Sequence, residues 1–113
     1  MKDLSDLEPD APIFDPAAFR LSGKEAELTA LARRLGKGIF AERAETWDRE
    51  AIFPTANYDD MREAGLLGVC VPEAQGGKGA DFRAYALTAA ELGRYCGATA
   101  LTWNMHVCSC LWT

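Results

Sequence analysis

His106, Cys108 and Cys110 form an H-x-C-x-C run near the end of the chain, and imidazole with thiols is a donor set that zinc and other borderline metals accept. On a helix, side chains two positions apart point about 200° from one another, so these three converge on one ion only if the segment is extended. Cys70 and Cys96 stand alone and supply no second ligand pair. The cysteines therefore read as small packed thiols, and no metal is assigned. His106 by itself fits either a core histidine with its nitrogens satisfied or a pocket group that exchanges a proton near neutral pH. Gly76, Gly77 and Gly79 around Lys78 invite a phosphate-loop reading. Neither G-x-x-x-x-G-K-S/T nor G-x-G-x-x-G is present, so a structural turn is the expectation. Trp47, Trp103 and Trp112 read as core or interface anchors. No Ser-His-Asp set, nucleophile elbow or paired-carboxylate signature stands out, so no catalytic residue is assigned.

The elements that would position these groups are helical. Ser22 precedes Glu25 by three residues, the arrangement of a capping box, and predicts a helix from about Gly23. Leu28, Leu31, Ala32, Leu35 and Ile39 recur at helical spacing, with Glu27, Arg33, Arg34, Lys37 and Glu42 on the other face. Gly36 and Gly38 weaken the middle by about 1 kcal/mol each relative to alanine, so one long helix with a weak centre, or two helices, is expected to end near Arg49. Pro54 and Thr55 punctuate and cap a short helix over Ala56–Ala64, which Gly65 ends. The apolar run Leu66–Pro72 is a strand or a packed extended segment, and Pro72 argues against a central strand. Asp81 caps a helix through Tyr95 whose expected apolar stripe is Phe82, Tyr85, Ala86, Ala89, Leu92, Gly93 and Cys96.

The 19 residues from Tyr95 to Thr113 carry no Asp, Glu, Lys or Arg. That length approaches the roughly 20 apolar residues of a membrane span. Thr99, Thr102, Asn104, His106 and Ser109 argue against lipid and for a helix enclosed by protein. Three or four helices cannot enclose it, so the expected chain is the front of a larger protein, with residues 22–113 a helical domain cut short at its C-terminus.

Composition bounds the rest. With 113 residues there is one core, and a net charge of −5 disfavours non-specific nucleic-acid binding. Residues 1–21 form an acidic, proline-containing tail with Asp3, Asp6, Glu8, Asp10 and Asp15 against Lys2 and Arg20. That tail resembles neither a secretory signal nor a transit peptide, which places the expected protein in the cytoplasm with reduced thiols.

Three blocks carry a family resemblance. Ala44 to Glu50 reads A-E-T-W-D-R-E and runs into Phe53-Pro54. Arg62 to Val69 reads R-E-A-G-L-L-G-V and runs into Val71-Pro72-Glu73 and Gly76-Gly77-Lys78-Gly79. Tyr85 to Thr99 carries Glu91-Leu92 and Cys96-Gly97-Ala98-Thr99. Together they resemble the N-terminal domain of acyl-CoA dehydrogenases over about residues 22–113.

The resemblance implies an all-α, bundle-like domain of up to four or five helices, with a β-domain and a C-terminal helical domain absent from this chain. It further implies an FAD-dependent oxidoreductase that dehydrogenates the α,β-bond of an acyl-CoA thioester, assembled as a dimer or tetramer. The flavin and the catalytic glutamate would come from positions beyond Thr113, so this chain alone would hold neither FAD nor activity. Its share would be one wall of the acyl pocket, with Ala100, Asn104, Met105 and Cys108 facing it and Trp103 and His106 as neighbours. A reduced-flavin monooxygenase of the same fold, with His106 near the flavin, and a non-catalytic helical interaction module are the other two readings.

Overall fold

A computed structural model describes residues 20–111, and every regular element among them is helical. The expected tail therefore lies almost entirely outside the described residues. Helix α1 spans Gly23–Leu35, with the Ser22 hydroxyl accepting from the Glu25 amide at 3.1 Å. The Glu25 carboxylate, which a capping box would turn back, lies against Arg83 at 3.2 Å.

The weak middle is a wide π turn over Gly36–Phe40, after which α2 runs over Ala41–Arg49 without leaving the right-handed helical region. Its cause is packing. A β-carbon on Gly36 would sit 2.1 Å from Cδ2 of Tyr95, so only glycine lets that ring approach. The extra residue in the wide turn advances the helix phase by one position. Phe40 is consequently fully buried, whereas Ile39, expected on the apolar face, is 37% exposed.

Helix α3 spans Thr55–Glu63. Thr55, expected as its cap, is instead the first helical residue and makes no capping bond; Pro54, buried, takes the cap position. Gly65, at φ 83°, closes the helix as expected. The run after it is neither strand nor extended segment. It forms a 3-10 turn over Leu66–Gly68 and a second over Glu73–Gln75, joined into a loop that bonds to itself. The Lys78 amide donates to the Gly68 carbonyl at 3.1 Å and the Ala80 amide to that of Val69 at 2.8 Å. Too few residues stand between Gly65 and Pro72 for two paired strands, and Gly76 (φ 91°) and Gly79 (φ 64°) turn the chain sharply.

Helix α4 spans Phe82–Tyr95 and starts as expected, with the Asp81 carboxylate accepting from the Ala84 amide at 2.9 Å. Its buried face differs from the expected stripe. Phe82 is 69% exposed, and Ala86 and Gly93 are exposed too, while Ala84, Leu87, Thr88 and Glu91 turn inward. The helix is flanked by α1 on one side and α5 on the other, so its buried arc is wider than a one-sided stripe. Thr88 tolerates burial because its hydroxyl donates to the Ala84 carbonyl at 2.7 Å. Cys96 breaks the helix in an extended conformation, and α5 follows over Gly97–His106, ending in a second wide turn over Val107–Leu111. The core gathers around Leu28, Phe40, Met61, Leu92, Trp103 and Val107, contributed by α1, α3, α4, α5 and the two wide turns.

Candidate functional site

The uncharged helix α5 divides sharply into two faces. Inward, Trp103 is fully buried, its ring 5.5 Å from that of Tyr85 and its Nε1 donating to the Leu66 carbonyl at 3.0 Å. One turn on, His106 Nε2 lies 2.8 Å from the Leu67 carbonyl. The two bonds lash the end of α5 to the loop after α3.

The start of α5 is held by a buried polar chain. Asn57 Nδ2 donates to the Thr99 hydroxyl at 2.8 Å, and that hydroxyl donates to Cys96 Sγ at 3.1 Å. Asn57 Oδ1 accepts from Arg43 at 3.0 Å, and Arg43 pairs with Asp60 at 2.8 Å. Buried polar groups stabilise a fold only when their partners are in place, and here α2, α3 and α5 supply partners to one another.

Outward, the same helix is bare. Ala98, Leu101, Met105 and Cys108 fall at helical spacing on one stripe; Leu101 is 62% exposed and Met105 58%. Of the six residues singled out in the sequence, Met105 and Cys108 stand on this stripe, and half-buried Asn104 stands beside it, within 3.8 Å of the Cys108 sulfur. Ala100 packs toward α4, where a β-carbon on Gly93 would lie 3.6 Å away. Trp103 faces the core and His106 the loop, so neither is on the open stripe. Sequence reasoning missed Ala98 and Leu101, although the 98, 101, 105, 108 spacing would have found them.

Cys108 Sγ also lies 3.6 Å from the hydroxyl of Tyr85. Burial first, and then the Cys108 thiol, push the Tyr85 phenol up to about 12. Burial and the nearby Asp81 carboxylate raise the Cys70 thiol. Among the described residues no group of three or more His, Cys, Asp or Glu side chains is placed to hold a metal. The amides of Gly76, Gly77, Lys78 and Gly79 all donate to carbonyls of their own loop, which leaves none of them to cradle a phosphate. A separate cavity of about 210 Å³ between α1 and that loop is lined by Lys24, Glu27, Glu73 and Lys78, and Lys24 is committed to Glu73 at 2.7 Å. No helix among the described residues is long and apolar enough to cross a membrane.

Comparison with known proteins adds the family. The model of the acyl-CoA dehydrogenase N-terminal domain matches residues 22–113. A probable acyl-CoA dehydrogenase of Bacillus subtilis is 34% identical over 89 residues, 79% of this chain and 23% of that protein. An NADH-dependent acryloyl-CoA reductase of Anaerotignum propionicum is 33% identical over the same shares. The mitochondrial short-chain specific acyl-CoA dehydrogenase of Mus musculus is 39% identical over 72 residues, 59% of this chain and 18% of that enzyme. The chain thus spans about a quarter of the length of the curated relatives it matches. No solved structure gives a significant match. By its helical fold and by the match over residues 22–113, the chain belongs to the acyl-CoA dehydrogenase family as its N-terminal domain.

Proposed function

We propose that the chain serves an FAD-dependent enzyme that dehydrogenates the α,β-bond of an acyl-CoA thioester, and that the open face of α5 is one wall of its acyl pocket. One observation carries the reading: α5, anchored to the core and to the loop after α3, leaves Leu101 and Met105 exposed on one stripe. Relatives named for acyl-CoA and acryloyl-CoA chemistry support the substrate class.

In this reading the chain positions substrate and excludes water. Leu101 and Met105 give the acyl chain an apolar surface, and Asn104 and Cys108 are the polar groups at its edge. A dry wall strengthens every fixed dipole that acts on the reacting thioester. Trp103 and His106 act behind the wall by holding α5 against the Leu66–Leu67 carbonyls. The amides of Gly76, Gly77, Lys78 and Gly79 are already donated within their loop, so no flavin step is assigned to them. FAD, further domains and a dimeric or tetrameric assembly belong to the longer protein.

The test uses that longer protein, assayed by dye-linked oxidation of an acyl-CoA series. Met105→Trp is expected to shift the kcat/KM optimum to shorter acyl groups, because the larger side chain fills pocket volume. An unchanged chain-length profile with full flavin content removes α5 from the pocket. Absence of any acyl-CoA oxidation by the unsubstituted protein removes the dehydrogenase reading altogether.

A further inference from the structure

Helix α5 is buried on the side that hydrophobicity alone would not choose. Thr99 is fully buried while Leu101 is 62% exposed and Met105 58%, and from Tyr95 onward no charged residue marks either side as the wet one. Apolar burial by itself would turn the helix to hide the leucine and the methionine and leave the threonine in water. Its rotation is therefore fixed by something else. Thr99, Trp103 and His106 lie within an arc of about 60° around the helix axis, opposite Leu101 and Met105. All three are hydrogen-bonded to α3 and the loop after it: Thr99 to Asn57 at 2.8 Å, Trp103 to the Leu66 carbonyl at 3.0 Å and His106 to that of Leu67 at 2.8 Å. Two of these bonds end on backbone carbonyls, which any sequence supplies. The third depends on a side chain, that of Asn57, fully buried in α3.

The Asn57 amide can point only one way. Arg43 has donors and no acceptor, so its bond at 3.0 Å ends on the amide oxygen, and Asp60 holds Arg43 in place at 2.8 Å. The amide NH2 is thereby turned to the Thr99 hydroxyl, which accepts from it and donates to Cys96 Sγ at 3.1 Å. A flipped amide would set donor against donor at Arg43. We propose that Asn57 is a positioning residue for the acyl-pocket wall: held by Arg43, it fixes through Thr99 the rotation of α5 that keeps Leu101 and Met105 on the open face. The substrate those two side chains meet rests on the dehydrogenase reading, whereas the rotation rests on the hydrogen bonds alone.

The two halves are tested separately. Asn57→Leu removes the bond and strands no charge, since Arg43 keeps Asp60 and the Thr99 hydroxyl keeps Cys96. Thr99→Val removes the same bond from the other side, so the result does not hang on one variant folding, and Thr99→Ser retains it. In the 113-residue chain, amide hydrogen exchange over residues 100–103 should speed up about tenfold in Asn57→Leu and in Thr99→Val, while residues 28–32 of α1 stay within about twofold. Unchanged exchange in α5 overturns the proposal whatever the enzyme does. In the longer, flavin-loaded protein, either variant should raise KM for the best acyl-CoA about tenfold and flatten the chain-length preference, with kcat within about twofold and flavin content kept. Thr99→Ser should keep the original profile. The Asn57→Leu, Thr99→Val double variant should be no worse than the worse single one, because both remove one bond. A fall in kcat and flavin content at unchanged KM would mean that Asn57 only stabilises the fold, which overturns the positioning role. An unchanged KM and chain-length profile in an enzyme that oxidises acyl-CoA overturns it too. If the unsubstituted longer protein oxidises no acyl-CoA, the dehydrogenase reading and the substrate half of the proposal both fall, and the exchange result still decides the rotation.

Discussion

Ala51 shows how much a single backbone angle holds. It sits at φ 52°, just past the end of α2. Its amide donates to the Asp48 carbonyl at 3.3 Å and the next amide, of Ile52, donates to that of Trp47 at 3.1 Å, the paired bonds of a Schellman ending. Glycine usually occupies that position, because a β-carbon in the left-handed region crowds the following carbonyl at roughly 1–2 kcal/mol. The bonds hold alanine there against that strain. Ala51→Gly relieves it but gives the unfolded chain more freedom, a partial offset. We therefore expect a net gain of about 0.5–1 kcal/mol, measured as a higher urea midpoint with an unchanged m-value. A lower midpoint would mean that Ala51 is unstrained in solution.

Two glycines only two positions apart show what an element asks of its residues. In the sequence Gly36 and Gly38 are equivalent weak points in a long helix. In the fold, a β-carbon on Gly36 would strike the Tyr95 ring, whereas one on Gly38 would meet nothing within 4 Å. Gly36→Ala should thus destabilise by roughly 1–3 kcal/mol through overpacking. Gly38→Ala should stabilise by about 0.5–1 kcal/mol, because helical backbone favours alanine and the space is open. Thermal melts of the two variants read the sign directly, and a shared sign would mean that Tyr95 does not pack on Gly36 at the wide turn. The same pair marks the boundary of what was legible in the sequence. Ser22, Asp81 and Gly65 act on their own neighbours, so helix starts and a helix end could be read from local spacing. The phase slip that buries Phe40 instead of Ile39 is set by a ring 59 positions away from Gly36, and no local pattern carries it. The strand alternative for Leu66–Pro72 failed for a similar reason. An apolar run shows that a segment is buried, but its hydrogen-bond partners decide its shape, and here they lie in residues 77–80. At the site, the uncharged composition points to a helix enclosed by protein, whereas among the described residues α5 keeps Leu101 and Met105 exposed on one face. Which side remained open depended on where α4 and the loop pressed, so Trp103 was grouped with residues it opposes.

The whole molecule is 21 Å across its thinnest direction, about two helix diameters. A slab two helices thick cannot enclose a helix in its outer layer, and α5 is such a helix: Thr99, Trp103 and Val107 face in while Leu101 and Met105 face out. Charges placed on that outer stripe should therefore have opposite consequences in the short and the long protein. In the 113-residue chain, Leu101→Lys with Met105→Lys leaves both ammonium groups in water, and exposed substitutions of this kind stay within about 0.5 kcal/mol each. The melting temperature should move by no more than a few degrees, and any self-association of the chain should weaken as the apolar stripe is interrupted. In a longer protein where further domains cover the stripe, the same two charges would have to be buried without partners. That costs several kcal/mol per ion before relaxation, enough to unseat a domain contact. The expected outcome there is loss of domain docking, read as faster proteolysis between this domain and the next, together with loss of acyl-CoA turnover. A large drop in the melting temperature of the short chain would mean that Leu101 and Met105 are packed within it. Full docking and turnover in the long protein would mean that its other domains leave this face in water, and the pocket would then have to be sought on another helix.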